Sequence, residues 1–213
     1  LTVLRGQNEL ILGKPRKLEE YQEVIASNLE EINYMSKVLE DLFVLSKSDE
    51  NQVNLDCKQF NLKPFLEEVC KHAEVLAEEK NIKIIITYLE AVGIKGDEVR
   101  LRQMVWNILQ NGIKYTQTGG ELKVSLRNDR EFALITIQDT GIGIPEEDLA
   151  FIFNRFYRVD KARSRDEGGS GLGLSICRQI AGAHKGNIEV ESKLGVGTRF
   201  KIRLPLTPNG EHL

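Results

Sequence analysis

The chain has 213 residues, 41% of them hydrophobic, with 29 Lys and Arg against 32 Asp and Glu for a formal charge of −3. That length and apolar content can fill two modest cores, so two domains are expected. The charge balance excludes the broad cationic surface that neutralises a phosphate backbone, so nucleic acid is not an expected partner. Cys57, Cys70 and Cys177 stand far apart with no CxxC pair, which argues against a zinc site or a disulfide framework and for buried or incidental thiols. No run reaches the roughly 18 apolar residues that cross a bilayer, and no charged-then-apolar leader is present. The chain opens without Met on Leu1-Thr2-Val3-Leu4 and reads as a piece of something longer.

In chain order, the opening stretch carries Val3, Leu4, Leu10 and Ile11 and ends at Gly13-Lys14-Pro15, a breaker followed by a helix start. From Leu18, residues Tyr21, Ile25, Asn28, Ile32, Met35, Leu39, Leu42 and Ser46 follow at alternating steps of three and four, so 17–47 should be one long helix. The resulting hairpin carries an apolar stripe too large to leave wet. It can pair with a second hairpin into a four-helix bundle or fold back on its own domain. Ser48 to Asn54 is polar and marks a boundary, giving a hairpin over 1–50, a second domain over 55–207 and a tail over 208–213. The second domain reads as helix (Leu62 to Glu79), strand (Ile82 to Tyr88), helix (Asp97 to Tyr115) and strands Leu122 to Asn128 and Phe132 to Gln138. A Gly-rich stretch, a helix from Gly173 to Ala183 and strands Asn187 to Ser192 and Thr198 to Leu204 complete it. This is an α+β pattern with a mixed sheet covered by helices.

Four features carry chemistry. Asp139-Thr140-Gly141-Ile142-Gly143-Ile144-Pro145 follows an apolar strand directly, putting a carboxylate at the strand end above a backbone freed by two glycines. It is either an Asp-Gly turn or a seat for a flat ligand whose amine the carboxylate accepts. Gly168-Gly169-Ser170-Gly171-Leu172-Gly173-Leu174 opens an apolar helix, where backbone N–H groups receive phosphate oxygens unless the loop is only a cap. It is not a Rossmann fingerprint, because Arg163 to Glu167 before it is polar. Between these stretches Phe153 to Arg165 holds five basic residues that can meet a polyphosphate, with Phe153, Phe156 and Tyr157 expected to pin the loop ends to the core. Gln103, Asn107 and Asn111, followed by Lys114 and Tyr115, share one helix face. That face is either a solvent-facing stripe or a source of amide oxygens for magnesium already held by phosphates.

The four together, in this order, resemble the catalytic domain of sensor histidine kinases, in the wider GHKL family shared with gyrase, Hsp90 and MutL. Asn107 to Thr116 resembles the N box, Asp139 to Pro145 the first glycine box, Phe153 to Asp160 the F box, Gly169 to Leu174 the second glycine box, and Gly195-x-Gly197-Thr198-x-Phe200 the final glycine motif. The resemblance spans about residues 58 to 206. It implies a GHKL-type α/β sandwich after half of a dimeric four-helix bundle, with ATP and Mg2+ as cofactors. It also implies that Asn111 binds magnesium with Asn107 beside it, that Lys114 meets phosphate, and that Asp139 accepts from the adenine amine with help from Thr198. By the same resemblance Tyr115 and Ile144 line the base pocket with Gly141 and Gly143, and Gly169, Gly171, Leu172 and Gly173 shape the phosphate loop. Arg158 reaches the terminal phosphates when a lid from Asn154 to Leu172 closes.

ATP-hydrolysing relatives place a water-activating glutamate four residues before the magnesium asparagine, and here that residue is Asn107. A neutral amide cannot remove a proton, which favours phosphoryl transfer over hydrolysis. An ATPase and a nucleotide-binding or dimerising module without transfer remain the alternatives. His72, His184 and His212 lack the acidic neighbour of the family's acceptor, which is expected just upstream of Leu1. The chain is therefore expected to bind ATP without phosphorylating itself. The expected partners are a second copy through the hairpin and a response-regulator receiver domain. The expected location is cytoplasmic, with the intact protein in many relatives anchored in a membrane.

Overall fold

The computed structural model describes residues 2–49, 55–159 and 170–207. The chain divides into two units, Leu1–Val44 and Leu45–Leu213. The expected tail 208–213, Gly169 of the phosphate loop and the basic residues Lys161, Arg163 and Arg165 lie outside the described residues.

The first unit holds the helical hairpin formed by α1 (Thr2–Leu12) and the part of α2 (Leu18–Asp49) up to Val44. Helix α1 ends where the Gly13 N–H donates to the Glu9 carbonyl, and the chain reverses before Glu19 and Glu20 complement the N-terminus of α2. The expected seam resolves into two columns with a seven-residue step. Tyr21, Asn28 and Met35 are half-buried, whereas Leu18, Ile25, Ile32 and Leu39 stand exposed, between 48% and 68%. A polar clip sits in the half-buried column: Asn28 Nδ2 donates to Asn8 Oδ1 at 3.1 Å, and Asn8 Nδ2 donates to the Leu4 carbonyl at 2.7 Å. A polar pair in an apolar seam favours one register of the two helices at a cost in stability.

The second unit is built on two sheets. Strands β1 (Lys58–Asn61) and β3 (Gly93–Gly96) pair antiparallel, and a five-stranded sheet runs in the order β2-β4-β5-β7-β6. Its strands are β2 (Lys83–Leu89), β4 (Glu121–Asp129), β5 (Phe132–Asp139), β6 (Asn187–Lys193) and β7 (Gly197–Pro205). Only β2 and β4 are parallel, so the sheet is mixed as expected. One face is apolar by period-two alternation: Leu122, Val124 and Leu126 face Ile137 and Ile135 across the ladder, followed by Phe200, Ile202 and Leu204. Truncating a fully buried member such as Ile135 to Ala costs about 3 kcal/mol.

Helices α3 (Leu62–Glu78), α4 (Glu98–Tyr115) and α6 (Gly173–Ala183) accompany the sheet, with a short α5 (Glu146–Leu149). Two of these helices, α3 and α4, have a readable start. Asn61 caps α3 by accepting from the Lys63 N–H, and Asp97 caps α4 by accepting from the Arg100 N–H. At the other end of α4, Lys80 Nζ donates to the carbonyls of Ile113 and Lys114. Helix α4 lies so close to β4 that a Cβ at Gly112 would stand 2.7 Å from Leu122. Strands β1 and β3 and helix α5 were not among the expected elements. Each has four residues and is held by tertiary partners, with too little length for a period.

Candidate functional site

Helix α4 is the spine of the site. Near its middle Asn107, 8% exposed, turns its Nδ2 to the Gly173 carbonyl at 3.4 Å, so this amide meets the first residue of α6. Asn111, one turn on, is half-buried. Lys114 lies over the Tyr115 ring, 5.3 Å from Nζ to centroid, and the Tyr115 carbonyl accepts from the Ile142 N–H at 3.1 Å. From Asn107 to Tyr115 the helix rises about 12 Å, the scale of a nucleoside triphosphate laid along it. Gln103 departs from the expected polar face. It accepts from Arg100 Nη1 and lines a shallow apolar groove with Val69, His72, Val99, Arg102 and Trp106.

At the Tyr115 end lies the carboxylate. Asp139 closes β5 and is 7% exposed; its Oδ1 accepts from the Gly141 N–H at 2.8 Å and from the Thr198 N–H at 3.1 Å. Burial pushes this carboxyl above its ordinary range, and the backbone donors pull against that shift without cancelling it. Both of these bonds fall on Oδ1. The glycines permit this crowding. Gly197 has φ 134°, and a Cβ there would fall 2.2 Å from the Asp139 carbonyl; at Gly143, φ 71°, it would fall 2.1 Å from that of Lys193. Gly141 abuts Tyr115, where a Cβ would stand 2.6 Å from the carbonyl oxygen.

One residue absent from the sequence-based set organises this corner. Ser192 Oγ accepts from the Ile144 N–H at 2.8 Å and stands 2.9 Å from both the Gly197 carbonyl and Thr198 Oγ1. Its signal in the sequence is alternation: Ile188, Val190 and Ser192 pair with buried Ile202, Phe200 and Thr198, which puts a hydroxyl on the inward face.

At the Asn107 end, α6 begins without a side-chain cap. Its N-cap is Leu172, fully buried, with its N–H held by Ser170 Oγ. The uncapped first turn leaves backbone N–H groups able to receive an anion. Gly171 precedes it with φ 71°, and its carbonyl accepts from the Phe156 N–H, closing the neck of the loop. Two of the three aromatics pin this region as expected: Phe153 is buried with Arg178 stacked on it at 4.6 Å, and the Tyr157 hydroxyl bonds to Asp148. Phe156 does not. It is 60% exposed with φ 62°, so its backbone is anchored while its ring faces solvent. Arg158 is half-buried.

The histidines divide clearly. His184, at the end of α6, accepts the Asp97 N–H at Nε2 (2.9 Å), which leaves Nδ1 to carry the proton and donate to the Ile180 carbonyl at 2.8 Å. Both ring nitrogens are used. His72 is exposed on α3. Burial pushes the Cys70 thiol up to about 12, and Cys177 is also buried, whereas Cys57 is half-buried. Among the described residues no three His, Cys, Asp or Glu side chains converge as a metal site, and no helix is long and apolar enough to cross a membrane.

These parts match a known architecture. Residues 96–208 match the family model of histidine kinase-, DNA gyrase B- and HSP90-like ATPases. The chain belongs to this family. It is 37% identical to the sensor histidine kinase CusS of Escherichia coli O6:H1 over 96% of its own length and 42% of that protein's, and 34% identical to the kinase BaeS of Escherichia coli K12 over 97% and 44%. It thus spans less than half of these curated relatives. Among solved structures, the Acinetobacter baumannii histidine kinase AdeS superposes with a TM-score of 0.78 at 26% identity, covering 97% of this chain and 94% of that one. Full-length ShkA in complex with AMPPNP gives 0.78 at 25% identity, covering 100% and 45%. The second unit is therefore an ATPase domain of the histidine kinase type, preceded by helices.

Proposed function

We propose that this chain is the dimerising and ATP-binding part of a sensor histidine kinase, which binds Mg-ATP and passes the γ-phosphate to a histidine other than His72, His184 and His212, for relay to an aspartate of a response-regulator receiver domain. The observation that carries the reading is Asp139, a buried carboxylate with one oxygen tied by two backbone donors and the other left to accept an exocyclic amine. The uncapped start of α6 against Asn107 supports a phosphate seat at the other end of α4, and the nucleotide analogue in the ShkA relative agrees with it.

In this reading the residues bind and orient. Asp139, Thr198, Ile144 and Tyr115 hold the base, with Gly141 and Gly143 allowing its approach. Lys114, Arg158, Gly169, Gly171, Leu172 and Gly173 receive the phosphates. A single amide oxygen, that of Asn111, suits a magnesium ion whose other ligands are phosphate oxygens and water; such an ion neutralises charge on the transferring group. The bond from the γ-phosphorus to its bridging oxygen breaks, ADP leaves with that electron pair, and a nitrogen–phosphorus bond forms on the acceptor imidazole. Asn107 cannot act as base toward water, because a neutral amide does not remove a proton, and its Nδ2 donates to the Gly173 carbonyl; this favours transfer over hydrolysis. Sensor histidine kinases work as dimers. The exposed column Leu18, Ile25, Ile32 and Leu39 supports a second copy of the hairpin as its cover.

The test is γ-labelled ATP offered to this chain and to a version extended upstream as in its longer relatives. Acid-labile phosphohistidine on the extended form alone is the expected result. Label retained on the chain itself, or steady release of inorganic phosphate from it, would overturn the assignment.

A further inference from the structure

We propose that Ser192 is a positioning residue that fixes the hydroxyl of Thr198 as a hydrogen-bond acceptor and thereby selects a 6-aminopurine over a 6-oxopurine. The inference rests on the reading of the Asp139 corner as the base pocket.

It follows from counting protons. Ser192 Oγ has one hydrogen and three close neighbours: the Ile144 N–H at 2.8 Å, the Gly197 carbonyl at 2.9 Å and Thr198 Oγ1 at 2.9 Å. The Ile144 N–H can only donate, so it uses a lone pair of Ser192. The Gly197 carbonyl can only accept, so it takes the single Ser192 proton. The remaining contact then forms only if Thr198 donates its own proton to Ser192. This arrangement makes all three contacts hydrogen bonds; sending the Ser192 proton to Thr198 makes two. One additional bond favours the first by about fivefold.

With its proton committed to Ser192, Thr198 faces a ligand with lone pairs alone. Its N–H is bound to Asp139 Oδ1, so the hydroxyl and the carboxylate form one small constellation that contains two acceptors and no free donor. A base edge carrying an NH2 group can satisfy such an edge directly or through a water. A 6-oxopurine turns its O6 acceptor to this edge in place of the NH2 group and keeps only its N1–H to donate, so O6 meets lone pairs, and sites built to hydrogen-bond a donor disfavour the analogue that lacks it. The same Ser192 oxygen holds Ile144 in place, so base stacking and base edge are set by one side chain.

The experiment measures ATP and ITP affinity calorimetrically on the full 213-residue chain, wild type, Ser192→Ala, Ser192→Thr and Thr198→Val, with thermal melts alongside. Wild type is expected to prefer ATP by about a hundredfold. In Ser192→Ala the freed Thr198 hydroxyl can turn and donate to O6, so the ATP/ITP ratio should narrow by about tenfold. Ser192→Thr, which keeps the hydroxyl, should keep the ratio, and Thr198→Val should narrow it, with no further narrowing when Ser192→Ala is combined with Thr198→Val in one chain. A merely structural role lowers both affinities and leaves the ratio unchanged, which would overturn the proposal, as would a narrowed ratio in Ser192→Thr. If wild type binds ATP and ITP equally, the inference fails and the nucleotide reading stands. If it binds neither, both fall.

Discussion

Replacing Asp139 by Asn separates what this residue does for the fold from what it does for a ligand. In the fold, Oδ1 accepts the Gly141 and Thr198 N–H groups, and an Asn carbonyl oxygen can do the same. Removing the charge also removes the desolvation that pushes this carboxyl up. A raised folded value means that Asp139 favours the fold below its unfolded value near 3.8 and that this contribution is lost as pH rises through the folded value. Asp139→Asn should therefore melt at or above wild type near pH 7, with the difference shrinking toward pH 3.8. At the ligand, Oδ2 becomes an NH2 group that confronts the exocyclic amine donor to donor. Loss of a hydrogen bond to a charged acceptor and creation of an unsatisfied donor pair together cost about 3–5 kcal/mol, or roughly a hundredfold to several thousandfold in ATP affinity. Calorimetric titration with ATP beside urea melts from pH 4 to 8 reads both effects. Wild-type ATP affinity in Asp139→Asn would refute the role of Oδ2. A melt lowered at pH 7 but restored at pH 4 would refute the electrostatic argument.

Gly197→Ala forces a Cβ to within 2.2 Å of the Asp139 carbonyl at a φ of 134° and should cost at least about 2 kcal/mol in urea denaturation; an unchanged midpoint would contradict the close approach. His184→Leu strands the Asp97 N–H at the start of α4 and should cost about 2–4 kcal/mol, while nitrogen NMR of the wild type should show one neutral tautomer with the proton on Nδ1. A mixture of tautomers would contradict the assigned bonds. Ile32→Glu places a charge in the exposed hairpin column and should turn a sedimenting dimer into a monomer with ATP affinity within twofold of wild type; a variant that remains dimeric would move the interface elsewhere.

How far the sequence exposes this molecule depends on the range of the interaction that decides each feature. The ends of α4 are local: Asp97 caps its own helix three residues on, and Tyr115 closes a pattern of buried residues that runs from Leu101 to Ile113. Strand β5 is legible for the same reason, since alternate residues from Ala133 to Asp139 are buried. The Asp139 corner is only half legible. Asp139 with Gly141 and Gly143 forms a contiguous motif that contains one donor to Oδ1, but the second donor is Thr198, 59 residues away, whose hydroxyl meets Ser192 on the neighbouring strand. His184 is less legible still, because its meaning comes from a backbone amide 87 positions earlier. Helical spacing alone also groups Gln103 with Asn107, yet one turn of α4 separates a side chain facing the groove beside α3 from one facing α6. An amphipathic period identifies a face only when one partner covers it; α4 has partners on several sides, and the same polar letters serve a groove, a helix terminus and the corner beside Asp139.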